Sequence, residues 1–130
     1  MKIAIVSAAL SALLLASAAA SAATPACQTS RVQVEVERLR RVNNCTSYGP
    51  NSWQCLQSQQ VENLSWQMMD AQCPMPTGMC AVQRQLYNIR SQQRQSTCQQ
   101  AGSSSDPTCQ SAMQHEQVAF LQLKMVCFVP

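Results

Sequence analysis

The sequence is short of the residues that most often build a large core or an active site. Its 130 residues include only six aromatic side chains, two each of Trp, Tyr and Phe, and one histidine, His115. So few aromatic residues limit the apolar surface that folding can bury, and something besides burial must help to stabilise the chain. A single histidine excludes two-histidine metal motifs and ordinary metal-hydrolase sites.

Charge is also scarce. Nine Lys and Arg residues stand against six Asp and Glu, which gives a formal net charge of +3 at pH 7. This small excess is far from the basic surplus of nucleic-acid-binding proteins, so we expect no nucleic-acid partner. A membrane-spanning helix needs about 20 consecutive apolar residues. No segment after residue 23 has such a run, and we expect a protein that does not span a membrane.

The first residues have the order of a secretory signal. Met1 and Lys2 precede the apolar run 3–15, and the small residues 16–23 follow it. A basic start, a short apolar segment and small residues before the cleavage point are typical of an export signal. We predict a signal peptide over 1–23, cleaved after Ala22 or Ala23, and a secreted or periplasmic location. Such compartments are oxidising and favour disulfides.

The eight cysteines carry the most specific pattern in the sequence. They fall into four segments in which two cysteines are 18 residues apart: 27 and 45, 55 and 73, 80 and 98, 109 and 127. Eighteen residues are five turns of an α-helix, so both cysteines of a segment lie on one helical face, roughly 27 Å apart. Cysteines at that distance cannot bond to each other within one helix.

Antiparallel folding of neighbouring segments brings cysteines together at both ends of a helical hairpin. Eight cysteines allow many pairings. The geometry of the hairpins selects four structural disulfides: Cys27–Cys73, Cys45–Cys55, Cys80–Cys127 and Cys98–Cys109.

The predicted fold is therefore all-α, with two tandem disulfide-stapled antiparallel hairpins and four helices. The hairpins cover 27–73 and 80–127, and the linker 74–79 contains two prolines and a glycine that break any continuous helix. We treat 24–130 as a single all-α domain, with a four-helix bundle as one way for the hairpins to pack. Residues 32–37 alternate like a strand, but charge pairs four residues apart and the cysteine spacing favour a helix.

One face of each predicted helix forms a seam. If the first cysteine is position 0, then positions 0, 4, 7, 11, 14 and 18 make a heptad-like stripe that faces the partner helix. The stripe places Glu62 and Glu116 within reach of arginines on the facing helix, which we interpret as register-setting salt bridges. The predicted layers of this charged part are Arg38 with Glu62, Arg41 with Gln59, Ser91 with Glu116, and Arg94 with Met113.

A second apolar set lies away from the seam, and we expect it to pack one hairpin against the other. If part of it is exposed, a homodimer, a partner groove or a lipid-contacting face is its expected use. The set consists of Val61, Leu64, Met68, Ala71, Val82, Leu86, Ile89, Val118 and Met125.

The sequence predicts binding rather than catalysis. With all cysteines in disulfides, no thiolate nucleophile is expected, and we predict no catalytic residue and no cofactor. The leading prediction is an exported, non-enzymatic, disulfide-rich helical binding or structural protein that acts through protein–protein contacts. Its predicted contact residues are Tyr48 and Trp53 in the first loop, and Arg84, Arg90 and Arg94 on the third helix.

Two alternatives stay open. One is a periplasmic carrier of a soft metal such as copper, or of a small apolar ligand. Thioether sulfurs suit Cu(I), and the candidate ligands are Met75, Met79, Met113 and His115. The ordinary explanation is that methionine fills irregular gaps in a core. The other alternative is a secreted effector or toxin.

The pairing topology resembles that of the plant alpha-hairpinins and of the mitochondrial coiled-coil-helix-coiled-coil-helix proteins. The cysteine spacing differs from both, so the resemblance covers the pairing alone. Some alpha-hairpinins inhibit trypsin through a basic residue. Neither interhelix loop here, 46–54 or 99–108, contains Lys or Arg, so we expect no trypsin inhibition.

Overall fold

The computed structural model describes residues 23–129, which form four α-helices joined by short connections. Helix α1 spans Pro25–Tyr48, α2 spans Trp53–Gln72, α3 spans Gly78–Ala101 and α4 spans Pro107–Cys127. Residues 32–37 are helical, and no strand occurs among the described residues. The all-α prediction is confirmed. The predicted signal peptide falls on residues 1–22, which lie outside the described range, and on residue 23.

Local sequence explains where the helices begin. The side chains of Thr24 and Ser52 each accept a backbone N–H of the following turn, both at 3.1 Å. Asp106 does the same for α4, and prolines occupy the first position of α1 and α4. These residues satisfy N–H groups that have no partner inside the helix. Thr77 precedes α3 without a side-chain cap, and Gly102 ends α3 in the left-handed conformation.

Two disulfides close each hairpin, one at each end, in the pairing that the cysteine spacing predicts. The Cα atoms of the paired cysteines are 4.4 to 5.0 Å apart. No described cysteine is free. The disulfides are Cys27–Cys73 and Cys45–Cys55 in the first hairpin, and Cys80–Cys127 and Cys98–Cys109 in the second.

The four helices run alternately up and down, with α1 beside α4 and α2 beside α3. Both interhelix loops lie at one end of the molecule, where Ser104 donates to the carbonyl of Thr46 at 3.0 Å. The linker lies at the other end, where Arg31 donates to the carbonyl of Val129 at 2.9 Å. We call these the loop end and the linker end.

The disulfides bring the two backbones of a hairpin closer than the backbones of different hairpins. In the described helices, Cα atoms approach within 8 Å inside each hairpin, and no such approach joins the two hairpins. Small side chains beside the seam suit this proximity: Ser58 and Ser65 in α2, and Ala119 in α4, are buried. The larger seam side chains project toward the other hairpin and fill the wider gap between the two.

The predicted packing role of the second apolar set is therefore wrong. The hairpins pack through their cysteine faces, and most of the set points away from that contact. Leu64, Ile89 and Val118, for example, are 50–57% exposed. The physical reason is the short distance between stapled backbones, which leaves the seam side chains uncovered unless a second hairpin lies over them. Dimerisation through the exposed set stays a prediction.

The core between the hairpins has two chemically different halves. The linker half is apolar and contains most of the aromatic residues: Trp66 lies 5.2 Å from Tyr87 and 6.2 Å from Phe120, measured between ring centroids. The loop half contains charged side chains and two disulfides. The chain has few aromatic residues, and most of the buried ones lie in the linker half. Long polar side chains therefore fill the loop half. None of the described helices is apolar enough over a sufficient length to cross a bilayer.

Reduction of the disulfides should unfold the protein. A disulfide contributes about 2–4 kcal/mol, while the net stability of a small domain is about 5–15 kcal/mol. We expect added reductant to abolish both the helical circular dichroism and the cooperative thermal transition, compared with an oxidised sample in the same buffer. A reduced sample that keeps its helical signal and its melting temperature would contradict this.

Candidate functional site

Five charged side chains meet in the loop half of the core. Arg38 and Arg41 come from α1, Glu62 from α2, Arg94 from α3 and Glu116 from α4, and all five are buried. We call them the ionic cluster. They occupy seam positions 7, 11 and 14 of their helices, so the repeat that spaces the cysteines also brings these residues to one level of the core.

Arg41 connects the two hairpins. Its Nε donates to Glu62 on its own hairpin, and its Nη2 donates to Glu116 Oε1 on the other at 2.5 Å. A guanidinium can serve two carboxylates at once because its five N–H donors form a fixed fork. Although burial opposes its charge, Glu116 and Glu62 raise the pKa of Arg41 above the ordinary value.

Glu116 is the most heavily bonded carboxylate of the cluster. Its Oε2 accepts from Arg94 Nε at 2.7 Å and from the hydroxyl of Ser91 at 2.8 Å, while Arg41 donates to Oε1. Burial alone would raise the pKa of Glu116. The charges of Arg41 and Arg94, together with the hydrogen bonds from Ser91 and Arg94, hold that pKa below its ordinary value. Glu116 is therefore ionised at neutral pH.

Glu62 forms a second bridge between the hairpins. Its Oε1 accepts from the hydroxyl of Tyr87 on α3 at 2.9 Å and from Trp66 Nε1 at 3.4 Å. Burial, followed by the charges of Glu62 and Glu116, raises the pKa of Tyr87, so its hydroxyl keeps its proton and donates. The hydrogen bonds of the ionic cluster thus extend to Tyr87 and Trp66 in the linker half of the core.

The predicted seam layers are correct in one pair and shifted in three. Ser91 bonds Glu116 as predicted. However, Arg41 pairs with Glu62 rather than Gln59, and Arg94 pairs with Glu116 rather than Met113. Side chains lean toward the N-terminus of their own helix, so long arginines in antiparallel helices reach carboxylates one layer away.

The third shifted pair is that of Arg38, which was predicted to face Glu62. Its Nη2 lies 3.7 Å from Glu116 Oε1 on the other hairpin, and no salt bridge joins it to the predicted partner Glu62 among the described residues. The cluster is also buried, so breaking one of its ion pairs costs more than breaking an exposed pair.

A cavity of about 470 Å³ adjoins the ionic cluster at the loop end. It lies between α1 and α4, in the range of about 300–1,000 Å³ that is typical of small-molecule sites. The charged part of its wall consists of Arg38, Arg41, Arg94 and Glu116. The apolar part consists of Val42, Pro50, Met113 and cysteines of the two loop-end disulfides, and exposed glutamines 110, 114 and 117 lie at the rim.

The linker end contrasts with the loop end. A second cavity there, lined in part by Phe128 and Leu123, measures about 40 Å³. That is about the space of one or two water molecules. Arg31 lies beside the Phe128 ring, with its guanidinium carbon 5.6 Å from the ring centroid, so this end is packed with side chains.

The predicted arginine surface on α3 is not one exposed surface. Arg94 is 5% exposed and belongs to the ionic cluster. The guanidinium carbon of Arg84 lies 3.8 Å from the ring centroid of Trp66, and Arg84 also pairs with Asp70 at 3.2 Å. Arg90 donates to Gln93 on its own helix. Arg94 is buried and Arg84 is partly buried, which leaves little cationic surface for a partner.

The predicted aromatic contacts and metal ligands lie in separate places. Tyr48 and Trp53 are exposed at the loop end, Trp53 to 71%, and their contact role stays a prediction. Met75 and Met79 lie at the linker end, while Met113 and His115 lie in the loop half of α4, so the structure does not bring the four candidate copper ligands together. Met113 Sδ is 3.8 Å from Cys109 Sγ. Within residues 23–129, no three His, Cys, Asp or Glu residues form a potential metal cluster.

Reasoning from the sequence did not identify Arg38 and Arg41 as cavity residues. One signal was present: in the loop half, the seam positions carry three arginines but only two glutamates. Comparisons with protein-family models, curated proteins and solved structures find no match to this chain.

Replacing Glu116 by Gln should lower the free energy of unfolding by about 3–5 kcal/mol, because Arg41 and Arg94 would stay buried without their carboxylate. Chemical denaturation under oxidising conditions measures this. The control is Glu35→Gln, which removes a half-exposed bridge to Lys124 and should cost about 0–1 kcal/mol. Equal losses in the two variants would show that the cluster does not stabilise the fold.

Stability should also fall in acid. The pKa of Glu116 lies below its ordinary value of 4.5, so the folded state binds fewer protons than the unfolded state. Its contribution is complete above that value and is lost as the pH falls through the folded-state pKa. Hydrogen bonds from Thr108 also lower the pKa of Asp106, so Asp106 likewise contributes stability that is lost in acid. Thermal unfolding of Asp106→Asn should therefore still show the acid loss, and a melting temperature independent of pH in that variant would contradict the assignment.

Proposed function

We propose that this protein is an exported, non-enzymatic binding protein for a small molecule, and that its binding site is the cavity between α1 and α4. The observation that carries the proposal is a cavity of about 470 Å³ in which apolar walls and convergent charged side chains lie together. This combination is typical of small-molecule sites. The four disulfides support an oxidising compartment.

The walls of the cavity are held in place before any ligand arrives. Cysteines of the disulfides Cys45–Cys55 and Cys98–Cys109 belong to the lining. The cross-hairpin bond from Arg41 to Glu116 fixes the spacing of α1 and α4 at the inner end. A pre-organised site costs less conformational entropy on binding, which favours affinity for a small ligand.

The charged residues at the cavity support binding over proton transfer. Glu116 already accepts from Arg41, Arg94 and Ser91, and its lowered pKa makes it a weak base. Contact with a protein through Tyr48 and Trp53 is the weaker candidate, because exposure alone supports it. The cavity offers shape, apolar surface and charge in one place.

A bulky side chain in the wall should block the site. We expect Val42→Trp to weaken binding of a small fluorescent probe about tenfold or more, because an indole at that position occupies the cavity. Fluorescence titration uses two probes with the same aromatic body, neutral N-phenylnaphthylamine and anionic anilinonaphthalene sulfonate. Either probe, bound saturably at one per chain, supports the site.

The matched control for this experiment is Val36→Trp. Val36 lies on the same helix but on its exposed face, so its replacement should leave the affinity unchanged. The proposal would be overturned if the unaltered protein bound neither probe, or if the two tryptophan variants had the same effect.

A further inference from the structure

The ionic cluster contains more positive than negative charge. Three guanidinium groups, of Arg38, Arg41 and Arg94, stand against the two carboxylates of Glu62 and Glu116. Arginine does not lose its proton in proteins, and a buried charge without a counter-charge is costly. Glu37, which is also buried, does not offset the surplus, because its carboxylate bonds Arg40 and Gln33 of its own helix.

Arg38 is the member of the cluster that lacks its own carboxylate. It is 3% exposed, and its Nη2 lies 3.7 Å from Glu116 Oε1, which is longer than a hydrogen bond. Its Nε has no hydrogen-bond partner among residues 23–129. By contrast, Arg41 and Arg94 both donate to carboxylates. Nε itself is fully buried, but no described residue accepts a hydrogen bond from Nη1 or Nη2 either, so Arg38 brings to the cavity wall terminal N–H groups that an acceptor in the cavity would satisfy.

The remaining charged groups of the wall also favour an anion. Both oxygens of Glu116 already accept hydrogen bonds from Arg41, Arg94 and Ser91, so Glu116 needs no further cation. Arg41 and Arg94 are likewise already paired with carboxylates, whereas Arg38 is not. A negative charge beside Arg38 would balance the third guanidinium of the cluster.

The rest of the wall is suited to an apolar body. Val42, Pro50 and Met113 line it together with cysteines of both loop-end disulfides. These groups offer no strong hydrogen-bonding side chain and gain from excluding water. The glutamines at the rim contact solvent and leave a polar mouth.

We propose that the ligand of the cavity is an organic anion with one negatively charged group, held by Arg38, and an apolar body that lies along the disulfide wall. This inference rests on the proposed function and adds the chemical class of the ligand. A neutral apolar compound would lack the charged group, and a bare inorganic anion would lack the apolar body.

The first experiment uses the unaltered oxidised protein and pairs of probes that share an apolar body, of which one member carries an anionic group and the other does not. Anilinonaphthalene sulfonate should bind about tenfold or more tightly than neutral N-phenylnaphthylamine, because one hydrogen bond to a charged group is worth about that factor. Decanoate should displace the bound probe, decanol should do so at concentrations about tenfold higher or more, and inorganic phosphate should not displace it.

The second experiment tests the assignment to Arg38. Arg38→Met retains much of the side-chain volume without the charge, and it should weaken binding of the anionic probe about tenfold while leaving that of the neutral probe unchanged. Arg90→Met is the control, since Arg90 does not line the cavity and donates to Gln93 of its own helix rather than to a carboxylate. Circular dichroism checks that both variants fold. If Arg38→Met does not, the probe pairs on the unaltered protein still decide the ligand class.

Each outcome bears on a different statement. Equal affinity for the charged and neutral probes would overturn the anionic ligand and leave the proposed binding function intact. Displacement by phosphate as effective as by decanoate would overturn the apolar body. An effect of Arg90→Met as large as that of Arg38→Met would overturn the role of Arg38. Failure of both probes to bind saturably would overturn the proposed function itself.

Discussion

At both ends of each hairpin a disulfide holds two helices together, and the Cα atoms of the paired cysteines are 4.4 to 5.0 Å apart. Between the described helices of different hairpins no Cα atoms come within 8 Å of each other, and large side chains fit into that wider gap. In a hairpin stapled this closely, small residues such as Ser58 and Ser65 occupy the contact, and Trp66 or Arg41 must project to one side. A second hairpin covers that side. The single core between two hairpins, with its ionic cluster and its cavity, follows from this constraint.

The ionic cluster takes the place that apolar side chains hold in most cores of this size. Replacing a buried ion pair by well-packed apolar residues is often neutral or stabilising, so such a pair is weak evidence for a purely stabilising role. In this protein the charges connect both hairpins through Arg41, and they also line a cavity with an excess of positive charge. The proposed anionic ligand would contact Arg38, whose nearest carboxylate, that of Glu116, lies 3.7 Å away and beyond hydrogen-bond distance.

Much of the fold follows from one spacing. Five helical turns between Cys27 and Cys45, repeated in the other three segments, fix which ends of the helices meet, and capping residues such as Asp106 mark where the helices begin. The same repeat also predicts that the residues of the ionic cluster lie on the seam. It does not predict which of them pair, because an arginine side chain is long enough to reach a carboxylate one layer away. The backbone period alone does not decide between those partners.

Periodicity by itself determined the four helices, the pairing of the cysteines and the residues that share each helical face. It did not determine which face meets the other hairpin, and the apolar stripe that contains Leu64 and Ile89 was the more hydrophobic choice. The tertiary structure decided this, because the distance between stapled backbones controls whether seam side chains fit inside a hairpin or must be buried by its neighbour. The cavity, too, could not be predicted from the helical period. It is the space that remains where arginines, rather than aromatic rings, fill the gap between α1 and α4.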